Sequence, residues 1–287
     1  MFGLNLSQSA TGDPVGDARH AEELGFDFVS TSDHPCGTHP SSETWTLLTW
    51  VAAHTTRIRI ATRVLGVPYR PPAMVAKMAE TLDRLSGGRL VLGLGGGYSD
   101  EEFRAFGLGV PTPRQKVDGM VEAIEIMRGL WSEPGFSYEG TRYRVERADL
   151  EPKPERRIPL WLGTYGPRAL EATGRLADGW IPSLGFAPPE RAAAMRDRVR
   201  AAAERAGRDP DGIACVYNVP VRIGDPVTGA SATGDPGVLE GSADQVVERL
   251  LGLRRLGFTS FNLMPSGPDP RDQAERLAHG VLPALRG

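Results

Sequence analysis

The 287-residue chain carries 33 basic and 36 acidic side chains, a formal net charge of −3, and is 40% hydrophobic. That length and apolar content bury a large core and suit a single α/β barrel domain spanning 1–287. A mildly acidic balance without a basic run excludes the electrostatic footprint of a nucleic-acid binder and points to small-molecule partners. No apolar stretch reaches membrane length, and Met1 runs straight into Phe2 to Leu6 without a charged or apolar leader, so a cytoplasmic protein is expected. Cys36 and Cys215 lie far apart without a CxxC pattern, so free thiols are expected.

Apolar runs of strand length recur in chain order at Phe2 to Leu6, Phe28 to Thr31, Ile58 to Val64 and Leu90 to Leu94. The second half repeats them at Leu160 to Gly163, Gly179 to Pro182, Ile213 to Val219 and Ser260 to Met264. Helical patterns lie between, including Pro167 to Leu176, Pro188 to Ala206 and Ser242 to Leu256, with Pro270 to Leu285 closing the chain. Eight strands alternating with about eight helices predict a parallel (β/α)8 TIM barrel, with an open doubly wound sheet as the alternative. Met74, Met78, Leu82 and Leu85 recur at helical spacing, as do Val246, Val247, Leu250, Leu253 and Leu256, and both stripes read as core. Two segments break the alternation. Trp131 to Arg157, with a Glu139-Gly140 turn, reads as an insertion before strand five. Ile223 to Gly241, small and polar, reads as a mobile loop after strand seven, a lid or an inert connection.

The most informative run is Leu90 to Glu102, where a strand ends in Gly95-Gly96-Gly97 and passes through Tyr98 into Ser99-Asp100-Glu101-Glu102. Ser99 and Glu102 have the spacing of a capping box. The three carboxylates repel a phosphate from that helix start, so the glycines read as a bare wall for an uncharged ring, or as a plain tight turn. Strand two ends in Ser32-Asp33-His34, which supplies a carboxylate and an imidazole for general acid–base work, or a loop-capping pair. His34, Cys36 and His39 match no ligand spacing of a zinc site, and no metal is expected. Arg63, at the end of strand three, says little alone. Gly163-Thr164-Tyr165-Gly166-Pro167-Arg168, with Ser183 to Gly185 beside it, reads as a phosphate cradle or an ordinary αβ turn. Asn5, Asn218 and Asn262 recur near strands one, seven and eight; amides in an apolar barrel usually find protein partners, and no role is assigned to them from the sequence. Only Lys77, Lys116 and Lys153 occur and none ends a strand, which disfavours Schiff-base chemistry.

Ala21 to Asp27, Ser32 to His34, Leu85 to Gly95, Glu102 through Phe106-Gly107, Leu130-Trp131 and Ala177 to Trp180 together resemble the luciferase-like monooxygenase family. Within it, they are most similar to the actinobacterial oxidoreductases that use the deazaflavin coenzyme F420. The resemblance implies a usually dimeric barrel holding F420, or alternatively FMN, at the C-terminal mouth. It implies a non-proline cis peptide at Arg63-Val64 behind the ring, Asp33 as a ring contact and His34 as catalytic acid or base. It places Gly96, Gly97 and Tyr98 along the ring, and Gly163, Thr164 and Ser183 near the phosphate. The implied reaction is hydride transfer between the deazaflavin and a small organic substrate; the alternative is an FMN monooxygenase using reduced flavin and oxygen. Tyr98 replaces the glutamate, and Phe186 the lysine, of the sugar-phosphate dehydrogenases in this family, and their tryptophan shortly after the histidine is missing. A less charged, more apolar substrate is expected.

Overall fold

Eight short strands close into one parallel ring in the computed structural model, which describes residues 1–225 and 237–287. They are β1 (Phe2–Asn5), β2 (Phe28–Thr31), β3 (Arg59–Thr62), β4 (Leu90–Gly95), β5 (Leu160–Leu162), β6 (Gly179–Trp180), β7 (Ala214–Ile223) and β8 (Ser260–Pro265). Each pairs in parallel with the next, and β8 returns to β1 through Phe2 opposite Phe261 and Gly3 opposite Asn262. Closure excludes the open doubly wound sheet and leaves the eight-stranded ring without a free edge. β3 stops at Thr62, two residues before the expected end. The chain turns there through a cis Arg63-Val64 peptide and resumes pairing with β4 at Leu65–Gly66.

Helices α1 (Pro14–Glu23), α2 (Thr44–His54), α3 (Pro72–Leu85), α4 (Asp100–Ala105), α5 (Pro113–Ser132), α6 (Pro167–Leu176), α7 (Pro189–Arg205), α8 (Ala243–Arg255) and α9 (Pro270–Gly280) follow the strands. Their starts are chemically marked. Asp13 and Glu43 cap α1 and α2, while Thr112/Gln115 and Ser242/Gln245 form reciprocal capping boxes on α5 and α8. In α8 the expected stripe packs as core through Val246, Leu250 and Leu253. In α3 it does not: only Leu82 is buried, and the inward face is Val75, Ala76, Ala79 and Leu82. Met74 and Leu85 face outward because small alanines, rather than the long side chains, fit the close approach of α3 to the barrel.

The insertion is a hairpin of Phe136–Glu139 against Arg144–Ala148. Its turn is tied to α5 by Glu122, whose carboxylate accepts the amides of Thr141, Arg142 and Tyr143. Most of the loop after β7, residues 226–236, lies outside the described residues, but Leu239–Gly241 pairs in parallel with Val221–Ile223. Among the described residues no helix is long and apolar enough to cross a membrane.

The barrel interior is layered. Its lower part is filled by Phe28, Ala61, Val91, Trp161, Ile181 and Val216, with Phe28 edge-on to Trp161 at 5.4 Å. Gly3 makes this possible, because a methyl group there would sit 2.2 Å from the Phe28 ring. Two residues further along the same inward faces Ser30 and Asn218 take the place of Phe28 and Val216, and Asn262 of β8 joins them, so the layer turns polar. Polar side chains thus floor the mouth.

Candidate active site

Above that layer lies a cavity of about 310 Å³ at the carboxyl ends of the strands, where barrels of this kind place their chemistry. Of the residues singled out in the sequence, Asp33, His34, Arg63, Val64, Gly96, Gly97, Tyr98, Gly163 and Ser183 all line it. Thr164 does not. Its hydroxyl meets that of Thr173 at 2.7 Å and its carbonyl accepts the Trp180 indole N–H, so it secures α6 to β6. Arg168 is also engaged, donating to Asp118 at 2.7 Å, an acidic neighbour from α5 that the local sequence does not reveal. The start of α6 itself has no side-chain cap and leaves its first-turn amides available.

His34 and Asp33, adjacent in sequence, do different work. Asp33 is buried and accepts a forked pair of bonds from Arg70, at 2.9 and 3.0 Å, and the Gly66 amide at 2.8 Å. It locks the turn after the cis peptide and backs the cavity lining. His34 is half exposed, and its Nδ1 lies 2.9 Å from Glu102 Oε1. Glu102 is where the expected capping box fails. Ser99 caps α4 as anticipated, accepting the Glu102 amide, but the Glu102 side chain turns away from the cap to His34 and to the Tyr69 hydroxyl. Burial and the Glu102 carboxylate both push the Tyr69 phenol well above its ordinary value, so it remains a donor. With Nδ1 held by Glu102, Nε2 is the nitrogen His34 keeps for the cavity. Glu102 and Tyr69 were missed as site residues because only the fold brings α4 and the turn after β3 to β2.

The glycines serve packing as well as access. A methyl group at Gly95 would lie 2.7 Å from Val64 Cγ2, and one at Gly163 would lie 3.1 Å from it. Their bareness therefore seats the Val64 isopropyl group between β4 and β5, which amends the expectation of glycines cleared for a ring alone. Gly97 has a left-handed φ of 89°, and a methyl there would meet Phe103 at 2.3 Å.

Arg63 stands at the cavity floor. Its Nε donates to Asn5 Oδ1 at 3.0 Å, and burial pulls its pKa down to about 10, opposed by Tyr165, so it is charged at neutral pH. Around it the barrel amides form a ladder: Ser30 to Asn262, Asn262 to Asn218 and Asn218 to Ser183, at 2.9, 2.9 and 3.1 Å. The opposite rim is aromatic. Phe186 packs at 5.6 Å from both Tyr98 and Tyr165, and Tyr98 stands edge-on to His34 at 6.4 Å. Tyr98 and Phe186 are more than half exposed, so this rim faces the entrance.

Fold and site together define the class: a parallel (β/α)8 barrel whose mouth joins an oriented imidazole, a half-buried cation and an aromatic rim. The profile described as luciferase-like monooxygenase matches residues 6–233, and the chain belongs to that family. An F420-dependent glucose-6-phosphate dehydrogenase of Microbacterium testaceum (strain StLB037) is 34% identical over 208 residues, 70% of this chain and 61% of that protein. The chain thus spans about three-fifths of the length of the curated relatives it matches. Among solved structures, an F420-dependent secondary alcohol dehydrogenase in complex with an F420-acetone adduct superposes with a TM-score of 0.89 at 22% identity, covering 100% of this chain and 99% of that one. The monooxygenase RslO1 from Streptomyces bottropensis superposes with a TM-score of 0.81 at 23% identity, covering 98% of each chain. These two likenesses establish the shared fold.

Proposed function

We propose that this protein is an F420-dependent oxidoreductase that transfers a hydride between the deazaflavin and a small, weakly charged organic substrate. The observation that carries the reading is the His34–Glu102 pair on one side of a cavity whose floor and far wall offer unused donors. Those donors fit a ring with an acceptor edge and an anionic tail: the Arg63 guanidinium at the floor, and the uncapped amides of α6 beside Gly163 and Ser183. The F420-dependent relatives support the same cofactor.

When bound, the deazaflavin supplies a ring carbon that gives or takes hydride. The chain's own residues do the rest. Val64, Gly96 and Gly97 wall the slot, while Arg63 and Ser183 donate to its polar edges. His34 moves the substrate proton through Nε2, and Glu102 holds the imidazole in the tautomer that leaves Nε2 free and stabilises it when protonated. Tyr98, Tyr165 and Phe186 shed water from the entrance and favour an apolar substrate. Phe186 stands where a phosphate-binding cation would be needed, so sugar phosphates are poor substrates in this reading.

The working protein is a cytoplasmic homodimer in this reading. Support for the dimer comes from α2, which carries no charged side chain on its outer face and exposes Trp50 and Ala53 there beside Thr46 and Thr49. Leu85, more than half exposed, lines an apolar groove between α2 and α3 with Trp45, Ala53 and Met78, and Trp50 of α2 and Met74 of α3 are also more than half exposed.

Equilibrium titration of the apoprotein with F420 and with FMN tests the cofactor. Tight, selective binding of F420 is expected. Selective binding of FMN instead would transfer the site to the oxygen-using monooxygenases.

A further inference from the structure

Arg63 differs from Arg70, Arg89 and Arg128. The terminal nitrogens of Arg70 reach Asp33 and Glu43, those of Arg89 reach three carbonyls and the Thr55 hydroxyl, and those of Arg128 reach Asp178 and the Ile158 carbonyl. Arg63 bonds only through Nε, to Asn5; its Nη1 and Nη2 meet no acceptor among the described residues, and no carboxylate pairs with it. Arg63 is half-buried and its terminal nitrogens are not sealed in the core, so their unused donor capacity faces accessible space rather than apolar packing. The unused edge also opens onto the cavity that His34 lines. With Nε pinned by a neutral amide, the guanidinium presents its Nη1–Nη2 edge as a fixed fork, the geometry that matches two adjacent acceptor atoms of a planar anion.

We infer that Arg63 is an anion receptor in the cavity floor, holding end-on a planar delocalised anion of the O–C–N or O–C–O type. This rests on the hydride-transfer reading for one of its two sources. As the substrate C–H bond breaks, both electrons leave with the hydride for the deazaflavin ring carbon, the substrate's accompanying proton goes to His34, and one negative charge is left on the ring's pyrimidine O–C–N edge. Arg63 then favours the reduced cofactor over the oxidised one. The other source is a carboxylate on the substrate. Both present the same pair of acceptors, and Lys would satisfy the charge without the fork.

The experiment compares wild type, Arg63→Gln and Arg63→Lys by anaerobic titration with oxidised and reduced F420, and by titration with benzoate and its neutral analogue benzamide. If the ring is the source, Arg63→Gln weakens the reduced form at least 10-fold more than the oxidised form, equivalent to a fall of about 30 mV in the bound two-electron potential. Arg63→Lys then loses less. If a carboxylate is the source, both cofactor forms bind as in wild type while the preference for benzoate over benzamide disappears. Equal weakening of both cofactor forms without loss of benzoate preference, or no change in any titration, overturns the assignment. Should Arg63→Gln fail to fold, wild type decides: equal affinity for both redox forms together with equal affinity for benzoate and benzamide overturns it. Failure of wild type to bind oxidised F420 at all ends the cofactor reading instead, and benzoate against benzamide still judges Arg63.

Discussion

His34 Nδ1 and Glu102 Oε1 meet at 2.9 Å although 68 residues separate them, and the Tyr69 hydroxyl holds the other Glu102 oxygen. The imidazole is thereby fixed on one side and left open on the other. A proton carrier needs that asymmetry. His34→Ala is expected to lower turnover by about 10²- to 10⁴-fold with little change in cofactor affinity. Glu102→Gln keeps the shape and removes the charge, so a smaller loss is expected, with a shifted pH–rate profile. Steady-state rates and cofactor titrations read both, and unchanged turnover in His34→Ala removes the residue from the mechanism.

Asp33 is predicted here to matter for stability first. Replacing it with Ala leaves the Gly66 amide without its acceptor and Arg70 with Glu43 alone, and leaving a buried donor unsatisfied costs about 1–3 kcal/mol. Denaturant unfolding of Asp33→Ala should show a loss of that order. A variant as stable as wild type would make Asp33 a ligand contact only.

Phe186 sets the chemistry of the entrance. Phe186→Lys is expected to weaken an apolar substrate by about 10-fold in KM, consistent with lost aromatic packing, and to introduce inhibition by inorganic phosphate. Inhibition assays with phosphate on both proteins check it, and phosphate inhibition of wild type at equal strength would contradict the expected substrate class.

Glu122 links stability to pH. Burial opposes its ionisation, but the Thr141 hydroxyl and the amides of residues 141–143 outweigh that, and its carboxyl titrates below the ordinary value. A group with a depressed folded-state pKa stabilises fully above its unfolded value, near 4.5 here, and loses that contribution as pH falls through the folded value. Stability is therefore expected to decline on acidification below about pH 4.5, and Glu122→Gln should flatten part of that decline. Unfolding curves between pH 6 and 3 would decide, on the assumption of about two-state behaviour; identical acid slopes in the two proteins would exclude the carboxylate.

Much of this was legible in the chain because strand length and helical spacing are local properties. The eight strands and the glycine-ended β4 follow from them. The α3 stripe misled because periodicity names an apolar face without saying which side faces inward, and the long Met74 and Leu85 side chains lie outside. Site residues near a strand end, such as His34 and Ser183, were readable by position. Glu102, Tyr69 and the engagement of Arg168 by Asp118 were not, since each depends on a neighbour brought close only by closure of the ring. Gly95 shows the same limit: its bareness was visible, but Val64, its packing partner, was not.

The chain of amides beneath the mouth has a direction. Ser30 hands its hydrogen to Asn262, Asn262 to Asn218, and Asn218 to the Ser183 oxygen, so every link points the same way around the barrel. The last hydroxyl receives at its oxygen and keeps its own hydrogen to give away. Ser183 thus greets an incoming molecule as a donor, a polarity written three hydrogen bonds away at β2, and reversing it would require both asparagines to turn over together.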